Sequence, residues 1–154
     1  LSNAVEQTAD SVILTNKEGV IEYVNPAFEK ITGYTREEAL GQTPRILRSG
    51  MHDRSFYKKL WETVLNGDSY RGTIINRKKD GELFWSEQTI TPMEDKNGNI
   101  TNFVTVMKDI TELKEKHEQD ARFLVEREKE RLRISRSMHF TLQKNRFTGE
   151  MFCR

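Results

Sequence analysis

The chain has 154 residues, of which 32% are charged and 35% hydrophobic, and its 25 basic and 24 acidic side chains give a formal net charge of +1. This length fits one domain of about 100 to 150 residues with a polar extension, and the near-neutral charge gives no general case for nucleic-acid or membrane binding. No apolar run approaches the roughly 18 residues of a membrane span, and the single cysteine, Cys153, excludes an internal disulfide, so a cytoplasmic protein is expected.

Residues 1–7 are interpreted as a lead-in, because the opening Leu-Ser-Asn-Ala lacks a methionine and is typical of a cloning remnant. Two strand-like runs follow, SVILTN and VIEYVN, on either side of Lys17-Glu18-Gly19. A glycine at such a place supplies the positive φ that a tight hairpin needs. The domain is therefore predicted to begin with an antiparallel strand pair.

Helices are predicted between the second and third strands. Asn25 and Pro26 are typical of an N-cap and a first helical position, and this short helix should end at Gly33. A second short helix is predicted over residues 36–40. A longer one should begin at Asp53 and pack on the sheet through an apolar stripe, which comprises Phe56, Leu60, Trp61, Val64 and Leu65.

Three further strands are predicted from two more turn signals. Asp80-Gly81 separates TIINR from LFWSEQTI, and Asn97-Gly98 separates TITPM from ITNFVTVMKDI. Alternation in residues 83–90 places one set of side chains on a common face, namely Phe84, Ser86, Gln88 and Ile90. The predicted fold is α+β, with a five-stranded antiparallel sheet, short helices grouped on one face and a long C-terminal helix.

The long helix is predicted from a change in composition after Thr111. Residues 112–137 contain neither Gly nor Pro and are mostly charged. Their sparse apolar residues form an imperfect heptad, because Asp120, Arg127 and Arg131 fall in the expected seam. Two interpretations stay open: a weak coiled coil that makes a homodimer, and a solvated single helix.

The ordered set of motifs resembles a PAS sensory domain, with residues 8–111 as the domain and residues 112–154 as signalling helix and tail. The motifs are ILTNKEGVIEYVNPAFEKITGYTREEALGQ, RKKDGELFW, ITPMEDKNGNITNFVTVMKDITE and the closing triplet Asp109-Ile110-Thr111. Residues 43–85 are also similar to the flavin-binding branch of that family, which has redox-sensing and blue-light-sensing members. The resemblance implies a half-open cup for a planar ligand, with FAD or FMN as the candidate cofactor.

Matched residue by residue, the resemblance implies a set of ligand contacts. Asn76 stands where the flavin branch has an amide that bonds the ring edge, and Arg45 and Arg48 lie in the segment that reaches a flavin phosphate or covers the ligand. Ser86 replaces a second amide, and Met107 replaces a glutamine of the light-sensing pattern. The expected ring contacts are Trp61, Phe84, Phe103 and Met107.

Other residues limit the chemistry. Pro44 stands where light-sensing members carry their photoreactive cysteine, so a bound flavin is expected to act by redox change or as structure. A purely structural interpretation also stays open, in which Asn76 satisfies backbone groups, the arginines face solvent and the aromatic side chains fill the core. His52 is interpreted as a loop residue, and no metal site is predicted.

The resemblance assigns signal coupling to Asp109, Ile110 and Thr111. It implies a regulatory module, not an enzyme, that relays a small-molecule, redox or cofactor signal to a histidine kinase or diguanylate cyclase effector outside this chain. The alternative is a ligand-free dimerisation scaffold.

The basic residues of the C-terminal segment are interleaved with glutamates, so they are interpreted as a solvated helix face and not as a nucleic-acid or membrane site. The run EREKERLRISRSMHFTLQ also resembles the phospho-acceptor helix of one class of sensor histidine kinases. His139 holds the place of the phosphorylated residue, although Phe140 replaces the acidic residue that normally follows it. No residue is predicted to be catalytic in this chain alone.

Overall fold

A computed structural model of the protein describes residues 3–151, with side chains described for residues 3–146. The residues up to 112 form one compact unit, and those from 113 onward form a second. In chain order the elements are α1 (Asn3–Gln7), β1 (Ser11–Asn16), β2 (Ile21–Val24), α2 (Pro26–Thr32), α3 (Arg36–Ala39), a 3-10 turn (Pro44–Leu47), α4 (Arg54–Leu65), β3 (Tyr70–Arg77), β4 (Leu83–Glu94), β5 (Ile100–Asp109) and α5 (Thr111–Met151).

The five strands form one antiparallel sheet in the order β2-β1-β5-β4-β3. This confirms the α+β fold predicted from the hairpin signals and the helical segments between them. The predicted alternation in β4 is also confirmed, because Phe84, Ser86 and Gln88 are all buried on the inner face. The register sets Gln88 opposite Met107 and Ser86 opposite Asp109, which brings β4 and the end of β5 together at the site described below.

The start of α2 confirms the predicted N-cap. The side-chain oxygen of Asn25 accepts hydrogen bonds from the backbone N–H groups of Phe28 (3.2 Å) and Val12 (2.9 Å). Its amide nitrogen donates to the carbonyls of Val5 and Asp10, both at 2.9 Å. Since Asn25 is fully buried, these four bonds satisfy its side chain and fasten α1, β1 and α2 to one another.

Helix α4 starts as predicted but packs differently. Asp53 is the N-cap and accepts from the backbone N–H of Phe56 at 2.9 Å. Leu60 and Val64 are buried as expected, whereas Leu65 is 60% exposed, because one further residue turns the side chain by about 100° away from that face. The stripe packs on the sheet where the Trp61 ring meets Phe103 of β5, and Leu60, Trp61 and Val64 also line a cavity between the helix and the strands.

The hydroxyl of Tyr23 joins β2 to α1 by donating to the carboxylate of Glu6. Burial, and then the bond and charge of Glu6, raise the pKa of Tyr23 to about 12, while Arg36 above the ring acts in the opposite direction. The unfolded chain therefore loses this proton first as pH rises. The stability contributed by the protonated hydroxyl is present below the usual pKa of 10.0 and is lost as the pH rises towards 12.

We expect Tyr23→Phe to reduce the loss of unfolding free energy between pH 10 and about 12, because the substituted ring has no proton to lose. Urea unfolding followed by circular dichroism at several pH values measures the slope. Tyr34→Phe, which removes a hydroxyl from another partly buried ring, is the matched control. An equal slope in Tyr23→Phe and the wild type would contradict this assignment.

Helix α5 runs to Met151, within the residues 112–154 that were assigned to the signalling helix and tail. Glu118 pairs with Arg122 at 3.4 Å, and further pairs join Glu128 to Arg131 and Glu130 to Arg133. Large apolar side chains are exposed along the helix, namely Leu113, Phe123, Leu124, Val125, Leu132, Ile134, Met138, Phe140 and Leu142. Pairing with a second chain stays a prediction. No helix within residues 3–151 has the length and apolar character needed to cross a membrane.

Candidate functional site

A cavity of about 330 Å³ lies between the inner face of the sheet and the helical segments that cover it. Most of its wall is apolar and comes from both layers, namely Ile13, Leu47, Leu60, Val64, Ile74, Ile90 and Phe103. A few polar side chains interrupt this surface, namely Thr15, Asn76, Gln88 and Thr105. An apolar cavity with a small number of placed polar groups is typical of small-molecule sites.

Two aromatic side chains shape one wall. The rings of Trp61 and Phe103 meet edge to face, with centroids 5.8 Å apart and planes at 84°. Gly19, in the β1–β2 turn, also lines this wall, and a Cβ added there would lie 3.5 Å from the Trp61 ring. Its φ of +86° is one that glycine adopts without strain. The wall therefore offers flat apolar surface suited to a ring ligand.

Two buried amides form the polar end of the cavity. The nitrogens of Asn76 and Gln88 donate to Ser86 Oγ at 3.3 and 3.0 Å and approach Met107 Sδ at 3.9 and 3.5 Å. The Ser86 hydroxyl itself donates to the carbonyl of Ile74 at 2.9 Å. Within the described part of the chain, nothing donates a hydrogen bond to Asn76 Oδ1 or Gln88 Oε1. Both oxygens are thus available as acceptors for a ligand.

The structure separates the eight predicted cofactor contacts into two groups. Five line the cavity: Arg45, Arg48, Trp61, Asn76 and Phe103. The other three, Phe84, Ser86 and Met107, are fully or almost fully buried behind the wall. Ser86 and Met107 hold the two amides, and Phe84 packs in the core.

Gln88 lines the cavity but was not among the predicted ligand contacts. The alternation in residues 83–90 was the only sequence feature that indicated its place on the inner face. The resemblance to the flavin-binding branch assigned ligand contacts to positions 86 and 107 and not to position 88.

The mouth of the cavity is basic. Arg45 and Arg48 are exposed there and also line an adjoining cleft of about 380 Å³, together with Arg54 and Lys58. Asp53 lines the same cleft, but the Phe56 N–H and other hydrogen bonds at the start of α4 lower the pKa of its carboxyl group. Asp53 is therefore ionised and engaged as a helix cap. The remaining positive charge suits an anionic ligand group.

Tyr57 lies between the cavity and the basic cleft and lines both. The guanidinium of Arg48 stacks over its ring, 4.0 Å from the centroid. Its hydroxyl is buried and has no hydrogen-bond partner within the described residues. Because a buried hydroxyl normally finds a partner, the Tyr57 hydroxyl is a further polar group that a ligand could bond where the cavity and the cleft meet.

His52 lies in the loop before α4, as predicted, and it joins that loop to the sheet. Its Nε2 accepts a hydrogen bond from the backbone N–H of Ile75 at 2.9 Å, and its ring stacks on Phe56 at 4.0 Å. Ser49 adds a bond from its hydroxyl to the Ile75 carbonyl at 2.6 Å. The loop at the mouth is thus fastened to the edge strand β3. Among the described residues, no group of three His, Cys, Asp or Glu side chains is placed to hold a metal ion.

The three predicted coupling residues form a set of hydrogen bonds at the junction between β5 and α5. Asp109 Oδ1 accepts from both the N–H (3.0 Å) and the hydroxyl (2.6 Å) of Thr111. Thr111 Oγ1 in turn accepts from the backbone N–H of Trp85 at 3.0 Å, and Ile110 N–H donates to the Trp85 carbonyl at 2.9 Å. Thr111 thus bonds the sheet through Trp85, and Asp109 orients the Thr111 hydroxyl.

His139 lies on α5 with an exposed side chain, and the following Phe140 is 68% exposed. The structure does not test its role as a phospho-acceptor, which stays a prediction. Cys153 lies outside the described residues.

The sequence is similar to a domain family and to individual signalling proteins. The sequence profile of the PAS domain family matches residues 9–112. A nitrogen fixation regulatory protein of Klebsiella oxytoca is 36% identical over 107 residues, which cover 70% of this chain and 22% of that protein. A blue-light-activated histidine kinase of Brucella canis is 35% identical over 135 residues, which cover 86% of this chain and 26% of that protein.

Solved structures give the same fold. The LOV domain of a blue-light activated histidine kinase from Erythrobacter litoralis superimposes with a TM-score of 0.63 at 29% identity, covering 68% of this chain and 99% of that domain.

The chain spans only about a quarter or less of the length of the two sequence relatives, the Klebsiella regulator and the Brucella kinase. The match to the Brucella kinase covers more of the chain than residues 1–112 alone supply, so part of it lies in α5.

Proposed function

Because the chain belongs to the PAS domain family, we propose that it is the sensory module of a larger signalling protein and that its cavity binds a flavin, FAD or FMN. The observation that carries this proposal is the polar end of the cavity, where the oxygens of Asn76 and Gln88 are open to a ligand beside flat apolar walls. A flavin, when bound, supplies a planar ring that accepts and releases electrons. The chain's own residues would hold, orient and shield that ring.

The size of the cavity supports a division of the ligand between two places. A volume of about 330 Å³ lies at the lower end of the roughly 300 to 1,000 Å³ of small-molecule sites. It suits a ring system but not a whole nucleotide, so the remainder of the ligand would leave through the mouth. Arg45 and Arg48 stand there to bind a phosphate, and Arg54 and Lys58 extend the positive charge into the adjoining cleft. This extension favours FAD, whose second phosphate needs such a place, over FMN.

We propose redox sensing and not adduct photochemistry for this site. Pro44 lines the cavity at the place where light-sensing members carry a thiol, and a proline cannot form a cysteinyl adduct.

The proposed effector is a histidine kinase. The similarity to the Brucella kinase continues into α5, which favours a kinase over a diguanylate cyclase as the protein to which this module belongs. The exposed apolar side chains of α5 support its pairing with a second copy of the chain, and the lone cysteine favours a cytoplasmic location.

We expect the purified chain to carry a flavin absorption spectrum that persists through gel filtration. Heat release of the ligand, followed by mass spectrometry, identifies it as FAD or FMN. Blue light should produce no reversible loss of the visible band, because Pro44 stands in place of the photoreactive cysteine, whereas dithionite should bleach it and air should restore it. A colourless chain that also fails to bind added FAD and FMN would contradict the flavin proposal.

The second candidate function is a ligand-free dimerisation scaffold. The exposed apolar side chains on α5 favour it as well, because they need no ligand in order to pair. A dimer measured by light scattering fits both functions, so the flavin-binding experiment separates them.

A further inference from the structure

We propose that Gln88 is a specificity-determining residue of the cavity, which recognises the imide edge of a ring ligand together with Asn76. This inference rests on the proposed flavin site and goes beyond it, because neither the family resemblance nor the expected contact residues include Gln88. The chemical class it selects is a planar ring whose edge carries an N–H between two carbonyl groups. The N–H of such an edge needs an acceptor, and the oxygens of Gln88 and Asn76 are open to it, because both amide nitrogens already contact Ser86 and Met107.

The position of Gln88 in the sheet carries the first step. Gln88 lies in the middle of β4, opposite Met107 on β5 and Gly72 on β3. Its side chain is 7% exposed and lines the cavity. Burying an amide costs free energy unless its polar atoms are paired, so an apolar residue would be the cheaper choice if this position only filled the core.

The hydrogen bonds of Gln88 carry the second step. Its nitrogen is fixed by Ser86 Oγ at 3.0 Å and Met107 Sδ at 3.5 Å. These contacts hold the amide plane, while Oε1 receives no hydrogen bond from the described residues. An oriented acceptor with no protein partner, on the wall of a cavity, is a group that a ligand donor completes.

Ser86 and Met107 stand where the flavin branch has an amide and a glutamine, and both now hold Gln88 in place. Gln88, two residues after Ser86 on the same face of β4, thus supplies the amide that positions 86 and 107 lack. The small side chain of Ser86 leaves space for both amides, and its Oγ accepts hydrogen bonds from Asn76 and from Gln88.

The test compares Gln88→Met with the wild-type chain. Methionine keeps the length of the side chain but has no amide, and Thr89→Val on the opposite face of β4 is the matched control. The probes are riboflavin and 3-methylriboflavin, in which a methyl group replaces the imide N–H, and fluorescence titration measures both affinities. We expect Gln88→Met to weaken riboflavin binding about 10- to 100-fold, the usual effect of leaving a buried polar group unpaired.

A second readout separates recognition from packing. The wild type should prefer riboflavin to 3-methylriboflavin, and Gln88→Met should reduce that preference and shift the visible absorption of the bound ring. Thr89→Val should retain the wild-type preference. If the wild type binds riboflavin and Gln88→Met shows the same affinity and preference, the role of Gln88 is overturned while the flavin site stands. If the wild type binds none of riboflavin, FMN and FAD, both proposals are overturned.

Discussion

Replacing Thr105 with tryptophan should abolish ligand binding and leave the domain folded. Thr105 lies on β5 at the cavity wall, with Ile13 and Ile90 beside it on the neighbouring strands. An indole group placed there would occupy the space that we assign to the ligand ring, because the cavity measures only about 330 Å³. We expect flavin affinity to fall by more than about 100-fold, since a ligand cannot displace a covalently attached ring.

The matched control is Val106→Trp. Val106 is the next residue of the same strand, and its side chain is 39% exposed on the opposite face of the sheet. The two variants carry the same new side chain, so a difference between them reports the cavity and not the added bulk. Absorption after gel filtration measures bound flavin, and thermal unfolding checks the fold. Retention of wild-type affinity in a folded Thr105→Trp protein would show that the ligand binds elsewhere.

The parts of the fold that could be predicted depend on local chemistry. The caps at Asn25 and Asp53 were identified because a short polar side chain satisfies backbone N–H groups within three residues of itself. The alternation in β4 was identified because the side chains of a strand point to opposite faces. Each of these signals is complete within a few residues of sequence, so no knowledge of the tertiary fold was needed.

The cavity was harder to predict, because it depends on the distance between two layers. The sequence shows that Leu60 and Val64 share one face of α4, but not how far that face stands from the sheet. The family resemblance found Asn76 and the two mouth arginines, whereas the role of Gln88 depends on the register that sets it opposite Met107. The bond between His52 and Ile75 likewise joins residues far apart in the sequence, and neither residue type indicates it.

The junction between β5 and α5 has one feature that could be predicted from the sequence and one that could not. The triplet Asp109-Ile110-Thr111 was identified from its resemblance to the end of such domains, but the division of work between its members was not. Thr111 receives the bond from β4, through the backbone N–H of Trp85. Trp85 is adjacent to Ser86, which accepts hydrogen bonds from both cavity amides. Trp85 and Ser86 therefore connect the start of α5 to the polar end of the cavity.

Breaking this junction should therefore uncouple output from ligand state without unfolding the domain. Asp109→Ala removes the acceptor that orients the Thr111 hydroxyl, and Thr111→Val leaves the Trp85 N–H without its partner, at a cost of about 1 to 3 kcal/mol. In the full chain, hydrogen exchange of the first amides of α5 should become about 10-fold faster or more in both variants. Lys108→Ala, an exposed neighbour on β5, should leave exchange unchanged.

In the intact parent protein, both variants should fix output at one level whether the bound flavin is oxidised or reduced, because the strand can no longer bias the helix. Autophosphorylation measured under air and under dithionite gives that comparison, and flavin content measured in the same samples shows that the cavity is intact. The Lys108→Ala protein should respond as the wild type does. If Asp109→Ala and Thr111→Val still follow the redox state normally, the signal leaves the domain by another route, and the bond between Thr111 and Trp85 serves only to hold the end of β5 in place.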